Sequence, residues 1–226
     1  VVANTGSEAL HSENHLLTTV GMRIGGKVTY ALEGSVFVAG SAMQWLRDEL
    51  RIIEAAPESE AIAKRTGIVE DIYVVPAFAG LGAPFWDPDA RGAILGLTRG
   101  SGREDIVTAT LQAVAFQTCD LINAMADDGI RPSVIRVDGG MVANNWFLQF
   151  LADVLDVPVE RPDNVESTVL GAACLAAYQA GVVTSLSDVG RLWQCDARFD
   201  PSMDSALRTR LLEGWRAAVA RVSTGP

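Results

Sequence analysis

The chain has 226 residues, of which 49% are hydrophobic and 20% charged, with a formal net charge of −10. That length suffices for one large or two small domains with a well-buried core, and the composition is that of a soluble globular protein. The acidic balance argues against a nucleic-acid surface, but it leaves room for a nucleotide site, because backbone amides hold phosphates without Lys or Arg.

No run approaches the ~20 apolar residues of a membrane span, and no charged-then-apolar targeting segment occurs. Cys119, Cys174 and Cys195 are odd in number and far apart. The first two lie in apolar helical runs, as buried thiols of a reducing compartment do. There is no Cys-x-x-Cys pair, and His11 and His15, without further ligands nearby, make no case for a metal.

The chain opens Val1-Val2-Ala3-Asn4-Thr5-Gly6, with no initiator Met. This reads as the end of a strand running into a turn and suggests a fragment of a longer protein. Residues 16–20 and 27–32 follow as strands, with Gly25-Gly26 as the hairpin turn between them. The apolar spacing predicts a helix over residues 35–53, with Gly40 inside it. A Gly in mid-helix costs about 1 kcal/mol against Ala, so a packing or close-approach reason is expected. A strand over 72–76 and a long irregular loop over 79–88, carrying Phe85 and Trp86, come next. Exposed aromatics beside Gly and Pro mark either a functional loop or a lid on the core.

Residues 92–98 read as a strand. Ser101 and Glu104 then fit a capping box that opens a long helix with an apolar stripe, ended by Gly129. Residues 134–137 form an apolar strand that runs into Asp138-Gly139-Gly140, and an amphipathic helix follows at once. Its apolar face carries Trp146, Phe147, Phe150, Leu151, Val154 and Leu155, with Gln149 and Asp153 on the other side. A strand–glycine turn–helix unit brings bare backbone close to a ligand at a helix N-terminus, where phosphate is favoured. The same turn would serve equally in an αβ protein with no ligand. A short strand over 157–160, a small-residue helix over 166–180 and an amphipathic helix over about 202–222 complete the chain. The whole reads as α/β, a β-meander followed by alternating helices and strands.

A nucleophilic site is poorly supported. No Gly-x-Ser-x-Gly elbow occurs, and neither histidine neighbours a candidate Ser or Cys. Asp87, Asp89, Asp138 and Glu166 lie in or beside loops, where solvated or capping acids are the rule. Neither a Walker A motif nor a Gly-x-Gly-x-x-Gly is present, which argues against a nicotinamide domain.

Several blocks nevertheless resemble the C-terminal half of the glycerol kinases in the FGGY carbohydrate kinase family. They are residues 12–19, 30–34, 39–48, 75–88 and 92–97, together with Asp105-Ile106 and residues 109–112. Val137-Asp138-Gly139-Gly140 with Ala143-Asn144-Asn145 is similar to the family's nucleotide turn. The resemblance is dense from about residue 4 to 183; the loop over 80–88 and the block over 31–48 favour glycerol kinases over xylulokinase-like or gluconokinase-like relatives.

The resemblance implies a ribonuclease-H-like, actin-like ATPase fold. It makes residues 1–226 the nucleotide-binding C-terminal domain, with the substrate domain missing from the N-terminal side. It implies a cytoplasmic phosphotransferase that uses ATP and Mg²⁺ to convert glycerol to glycerol 3-phosphate. Its partners would be ATP and glycerol, with no nucleic acid or membrane, and with self-association open. The Gly and Gln of the family's Ala-Gly-x-x-x-Gln helix fall on Gly40 and Gln44 as nucleotide contacts, four apart on one helical face. The second Gly of the turn and the Asn beyond it fall on Gly140 and Asn144. Gly171-Ala172-Ala173 would sit on a helix at the domain hinge. The family's catalytic Asp, in a Gly-Asp-Gln segment, and its Gly-Thr-Gly phosphate turn match nothing here. No catalytic residue or metal ligand is therefore expected in this chain, and it would be inactive alone; a non-catalytic nucleotide-binding module is the other reading.

Overall fold

A computed structural model describes residues 1–190 and 193–225. Its first layer is an antiparallel sheet of β1 (Val2–Gly6), β2 (Leu17–Ile24) and β3 (Lys27–Glu33), in the order β1-β3-β2. The β2–β3 hairpin turns on Gly25 and Gly26 at φ 55° and 80°, with Ile24 opposite Lys27. Two successive positive φ values match the right-handed strand twist, and Gly adopts them without steric cost. β1 pairs with the far edge of β3, Val2 opposite Glu33, so β3 lies between β1 and β2.

α1 spans Gly40–Asp48, shorter than the periodicity suggested. Gly40 is therefore the first helical residue and pays no mid-helix cost. α2 (Glu58–Thr66) has no counterpart in the sequence-based reading. Its signals were nonetheless present: Pro57 before the first turn, Glu58 and Glu60 within it, Lys64 and Arg65 in the last turn, and Gly67 beyond at φ 76°. They were hidden by a weak apolar stripe, since Ile62 and Ala63 are its only buried apolar side chains.

β4 (Tyr73–Val75) and β5 (Ala93–Leu95) form a two-stranded antiparallel ribbon. The loop between them folds back through the Leu81–Asp87 bridge. It packs Trp86 edge-on against Phe37 at 6.1 Å and donates from Trp86 Nε1 to His15 O at 2.7 Å. Phe85 and Trp86 stay about 40% exposed, so the loop is only partly a lid.

The centre of the molecule is α3 (Arg103–Asp127), 25 residues long with 15 of them buried. Its cap differs from the expected box. Gly102 occupies the N-cap and donates to Asp105 at 2.8 Å, whereas Ser101 Oγ accepts from Thr98 N. Gly129, at φ 89°, closes the other end as expected. Around Phe116 of α3 gather Trp215, stacked at 5.4 Å, and Phe150, edge-on at 5.6 Å. Burial of each such ring contributes roughly 1.5–3 kcal/mol. Gln112 is fully buried, and both ends of its amide are taken by the backbone of Val69, at 2.8 and 2.9 Å.

The remaining strands form a second three-stranded sheet: β6 (Ile135–Arg136) parallel to β7 (Val159–Pro162), and β8 (Cys195–Phe199) antiparallel to it. α4 (Asn145–Leu155) packs on α3. Asp153, expected on the solvent side of α4, is 7% exposed, because it accepts from Ser202 N at 2.6 Å and Met203 N at 3.1 Å. Those bonds dock the chain just before α7 (Ser205–Val222), which Asp204 caps by accepting from Ala206 N and Leu207 N.

α5 (Ser167–Gln179) contains no charged residue, yet only Cys174 is buried. Val169 is 65% exposed, and a methyl added to Gly171 would meet nothing within 4 Å. Gly171, Ala172, Ala173 and Ala176 are accordingly exposed. α6 (Leu186–Gly190) follows it.

Candidate nucleotide-binding cavity

The segment after β6 differs in detail from a simple strand–turn–helix. Gly139 takes φ 85°, a 3₁₀ turn covers Gly140–Ala143, and Asn144 caps α4 by accepting from Phe147 N at 2.9 Å. Gly139 is thus the glycine that the backbone requires. With ψ at 178° this is a region essentially confined to Gly, where a side chain costs on the order of 1–3 kcal/mol, so Gly139→Ala is expected to lower the thermal midpoint, which a melting curve would read directly. Gly140 is not left-handed, and a methyl there would meet nothing within 4 Å. The fold has no need of glycine at that place.

Opposite the 3₁₀ turn stands the start of α1. A methyl on Gly40 would come to 3.8 Å from Met141 Cγ, an ordinary contact with free space around it. Ala39, the N-cap of α1, offers no side-chain bond, and no acidic residue lies in the first turn. The leading N–H groups of α1 are therefore left without a side-chain cap, and the positive end of its dipole is uncompensated. An anion is favoured at such a helix end. The N-terminus of α4 is by contrast already satisfied by Asn144. Of the two helix ends that border the cavity, the one without a side-chain cap is that of α1, opposite the glycine turn.

Between them lies a cavity of about 520 Å³, a size that holds a small organic ligand. α1 supplies Gly40, Met43, Gln44 and Arg47 to its wall. The 3₁₀ turn and its flanks supply Asp138, Gly140, Met141 and Asn144. All four residues expected to contact nucleotide, Gly40, Gln44, Gly140 and Asn144, line this one space. The third wall is the start of α2, with Ala56, Pro57, Ser59 and Glu60, and sequence reasoning missed it because it missed the helix. Ser59 is 2% exposed; its hydroxyl donates to Ala56 O at 2.6 Å, and Asn144 Nδ2 approaches its Oγ at 3.5 Å. The Glu60 carboxylate stands 2.7 Å from Lys64 Nζ. Arg47 is paired with Asp48 at 2.6 and 2.8 Å.

Of the loop carboxylates, only Asp138 borders the cavity. Asp87 accepts from Thr224 N and Oγ1 and from Ala90 N and Asp89 N. Those bonds, the Thr224 backbone one foremost, hold it at about 2, so it is a structural acceptor and no base at neutral pH. A different acid stands out away from the cavity. Asp120, on α3, accepts from Trp215 Nε1 at 2.7 Å, and burial pushes its carboxyl up to about 6, against the opposing effects of that bond and of Arg216.

The model of the C-terminal domain of the FGGY family of carbohydrate kinases matches residues 1–180. The glycerol kinase of Ectopseudomonas mendocina (strain ymp) is 56% identical over 223 residues, which make up 98% of this chain and 45% of that protein. That of Alteromonas mediterranea (strain DSM 17117 / CIP 110805 / LMG 28347 / Deep ecotype) is 54% identical over 222 residues, again 98% and 45%. Among solved structures, Plasmodium falciparum glycerol kinase with ADP superposes with a TM-score of 0.89 at 35% identity, covering 100% of this chain and 45% of that one. A xylulose kinase from Rhodospirillum rubrum follows the same fold with a TM-score of 0.78 at 26% identity, covering 97% and 44%. The architecture is the ribonuclease-H-like, actin-like ATPase fold of these kinases. The chain spans a little under half the length of the relatives it matches. Matched over residues 1–180 and more than half identical to such relatives, the chain belongs to the FGGY family of carbohydrate kinases, in the part described as the C-terminal domain.

Proposed function

We propose that this chain is the nucleotide-binding half of an ATP-dependent glycerol kinase, a cytoplasmic enzyme that transfers the γ-phosphoryl group of ATP to glycerol. The observation that carries the reading is the cavity. An uncapped helix end, two glycines with open space at their Cβ positions and the Asn144 amide meet around one volume of about 520 Å³. That arrangement fits a nucleoside phosphate: anionic groups toward the first N–H groups of α1, adenosine toward the 3₁₀ turn and Asn144. The identity of 56% to a glycerol kinase, against 26% to a xylulose kinase, favours glycerol over a sugar as acceptor. An ADP-bound glycerol kinase among the structural relatives agrees with nucleotide use.

In this reading residues 1–226 are one domain. The acid that accepts the glycerol proton and the glycerol contacts themselves lie in the other half of the enzyme. The uncharged, exposed α5 supplies a face for that half to cover. Among the described residues no three His, Cys, Asp or Glu side chains gather as a metal cage. Mg²⁺ would enter with the nucleotide phosphates, as it does where one or two carboxylates complete its shell. Positioning and electrostatic stabilisation then supply most of the rate, and this chain's share is to hold the nucleotide, by its adenosine and through the open end of α1.

The test is calorimetric titration of ADP into the chain, followed by assay of the chain joined to its N-terminal half with ATP and glycerol, xylulose or gluconate. Binding of ADP and turnover with glycerol are expected; turnover with a sugar but not glycerol would overturn the substrate. Gly40→Ala and Gly140→Ala are expected to leave the thermal midpoint unchanged or slightly raised, because Ala is the better helix former by up to ~1 kcal/mol. Both should weaken ADP binding at least about tenfold, or ~1.4 kcal/mol, since each methyl enters space that the ligand occupies. Unaltered affinity in both would remove the glycines from the site.

A further inference from the structure

The side-chain amide of Asn144 has a fixed polarity. Phe147 N donates to Asn144 Oδ1 at 2.9 Å, so the oxygen is committed to the first turn of α4 and the nitrogen is turned away from it. Nδ2 stands 3.5 Å from Ser59 Oγ, across 85 residues of chain. The Ser59 hydroxyl is buried, and its own proton goes to Ala56 O at 2.6 Å. Toward Asn144 the Ser59 oxygen can therefore only accept. One amide hydrogen of Asn144 is directed at Ser59, and the second remains for the cavity that both residues line.

We propose that Ser59 is a positioning residue, which holds the Asn144 amide so that Asn144 meets a bound nucleotide as a hydrogen-bond donor only, toward an acceptor atom of the adenosine moiety. The proposal rests on the reading of the cavity as a nucleotide site. It makes the start of α2 part of the binding machinery: Pro57 and the first turn of α2 bring Ser59 to the rim, and the bond to Ala56 O sets which way its lone pair points. Without the hydroxyl, the Asn144 nitrogen loses its partner on the α2 side and its direction toward the ligand is held from one end alone.

A double-variant cycle tests this. ADP is titrated into the 226-residue chain and into Ser59→Ala, Asn144→Gly and the variant carrying both, and the thermal midpoint of each is measured. Gly is well tolerated at an N-cap, so Asn144→Gly removes the amide and keeps α4. Ser59→Ala alone is expected to weaken ADP about 3- to 10-fold, the size of one lost hydrogen bond. In the Asn144→Gly background it should have no further effect on affinity, because a residue that acts through another has nothing left to position. A drop in the midpoint from the lost bond to Ala56 O should remain in both backgrounds, whereas the effect on affinity should vanish in one, which separates structure from positioning. In the free chain, Ser59→Ala should also shift the side-chain amide NMR resonance of Asn144, assigned by its absence in Asn144→Gly. Losses of affinity that multiply in the double variant, or an unmoved resonance, would overturn the positioning role while the nucleotide reading stands. Failure of the unaltered chain to bind ADP would instead overturn both.

Discussion

Asn144→Asp is expected to abolish most nucleotide affinity while leaving the fold intact. Asp is as good an N-cap as Asn, and its negative charge suits the N-terminus of α4. The bond now made by Phe147 N at 2.9 Å survives in the variant. The single N–H donor facing the cavity is lost, and a carboxylate takes its place beside Asp138 and Glu60, which already line the same space. A ligand acceptor opposed by a charge instead of a donor loses about 2–3 kcal/mol, on the order of a hundredfold in affinity. Calorimetric titration of ADP, paired with a melting curve, reads both quantities. Affinity that fell in step with the thermal midpoint would mean that Asn144 serves only as a cap, and unchanged affinity would remove it from the site.

The second large effect concerns stability and pH. Burial holds the Asp120 carboxyl at about 6, above the ordinary value of 3.8. The folded chain thus binds this proton more tightly than the unfolded one. The resulting stabilisation is fully present below about pH 4 and is lost as pH rises through 6. A difference of roughly two units is worth ~2–3 kcal/mol. Asp120→Asn keeps an oxygen that can accept from Trp215 Nε1, now 2.7 Å from the carboxylate, and removes the charge that burial penalises. The variant should therefore be about 2 kcal/mol more stable than the parent at pH 8, and no more stable at pH 4. Denaturant unfolding at the two pH values decides it. A variant less stable at pH 8 would show that attraction to Arg216 outweighs the cost of burial. The same carboxyl explains a cost within the core: Trp215 is 1% exposed and stacks on Phe116, and its indole N–H must find a buried acceptor.

Legibility in the sequence followed locality. The Gly25-Gly26 hairpin, the Gly129 end of α3 and the amphipathic α4 were all readable, because each is set by residues within a few positions of one another. α2 escaped because its caps and charges are local but its apolar stripe is too thin to announce a helix. The start of α1 was misplaced by five residues because apolar residues before Gly40 mimic a helical period, although the segment is irregular and Val38 is buried without being helical. β8 has little pattern of its own and is a strand because β7 offers it an edge, Val159 opposite Phe199. Asp153 reads as a surface residue on α4 and is buried by a segment some fifty residues further along.

The candidate site divides in the same way. The resemblance named Gly40, Gln44, Gly140 and Asn144 one by one, and the structure gathers them around one cavity. Sequence pattern placed Gly140 in a glycine turn but put Gly40 in mid-helix, and only the folded chain shows that Gly40 starts α1 and that Asn144 caps α4. The pattern also assigned the anion-favouring helix end to α4, whereas in the folded chain Asn144 fills that end and α1 has the open one. Ser59 was invisible beforehand, because its meaning lies in a hydroxyl that gives its proton to Ala56 and turns its lone pair to a residue 85 positions away.

By itself, then, the sequence determined the elements whose causes are short-range, namely the Gly25-Gly26 turn, the Gly129 end of α3 and helices with a continuous apolar stripe, together with family membership through matched blocks. Tertiary structure decided which helix end is electrostatically open, which glycine the backbone needs and which has free space for a ligand, and which way the Asn144 amide points. Those properties depend on atoms brought together across tens of residues, and no local propensity encodes them.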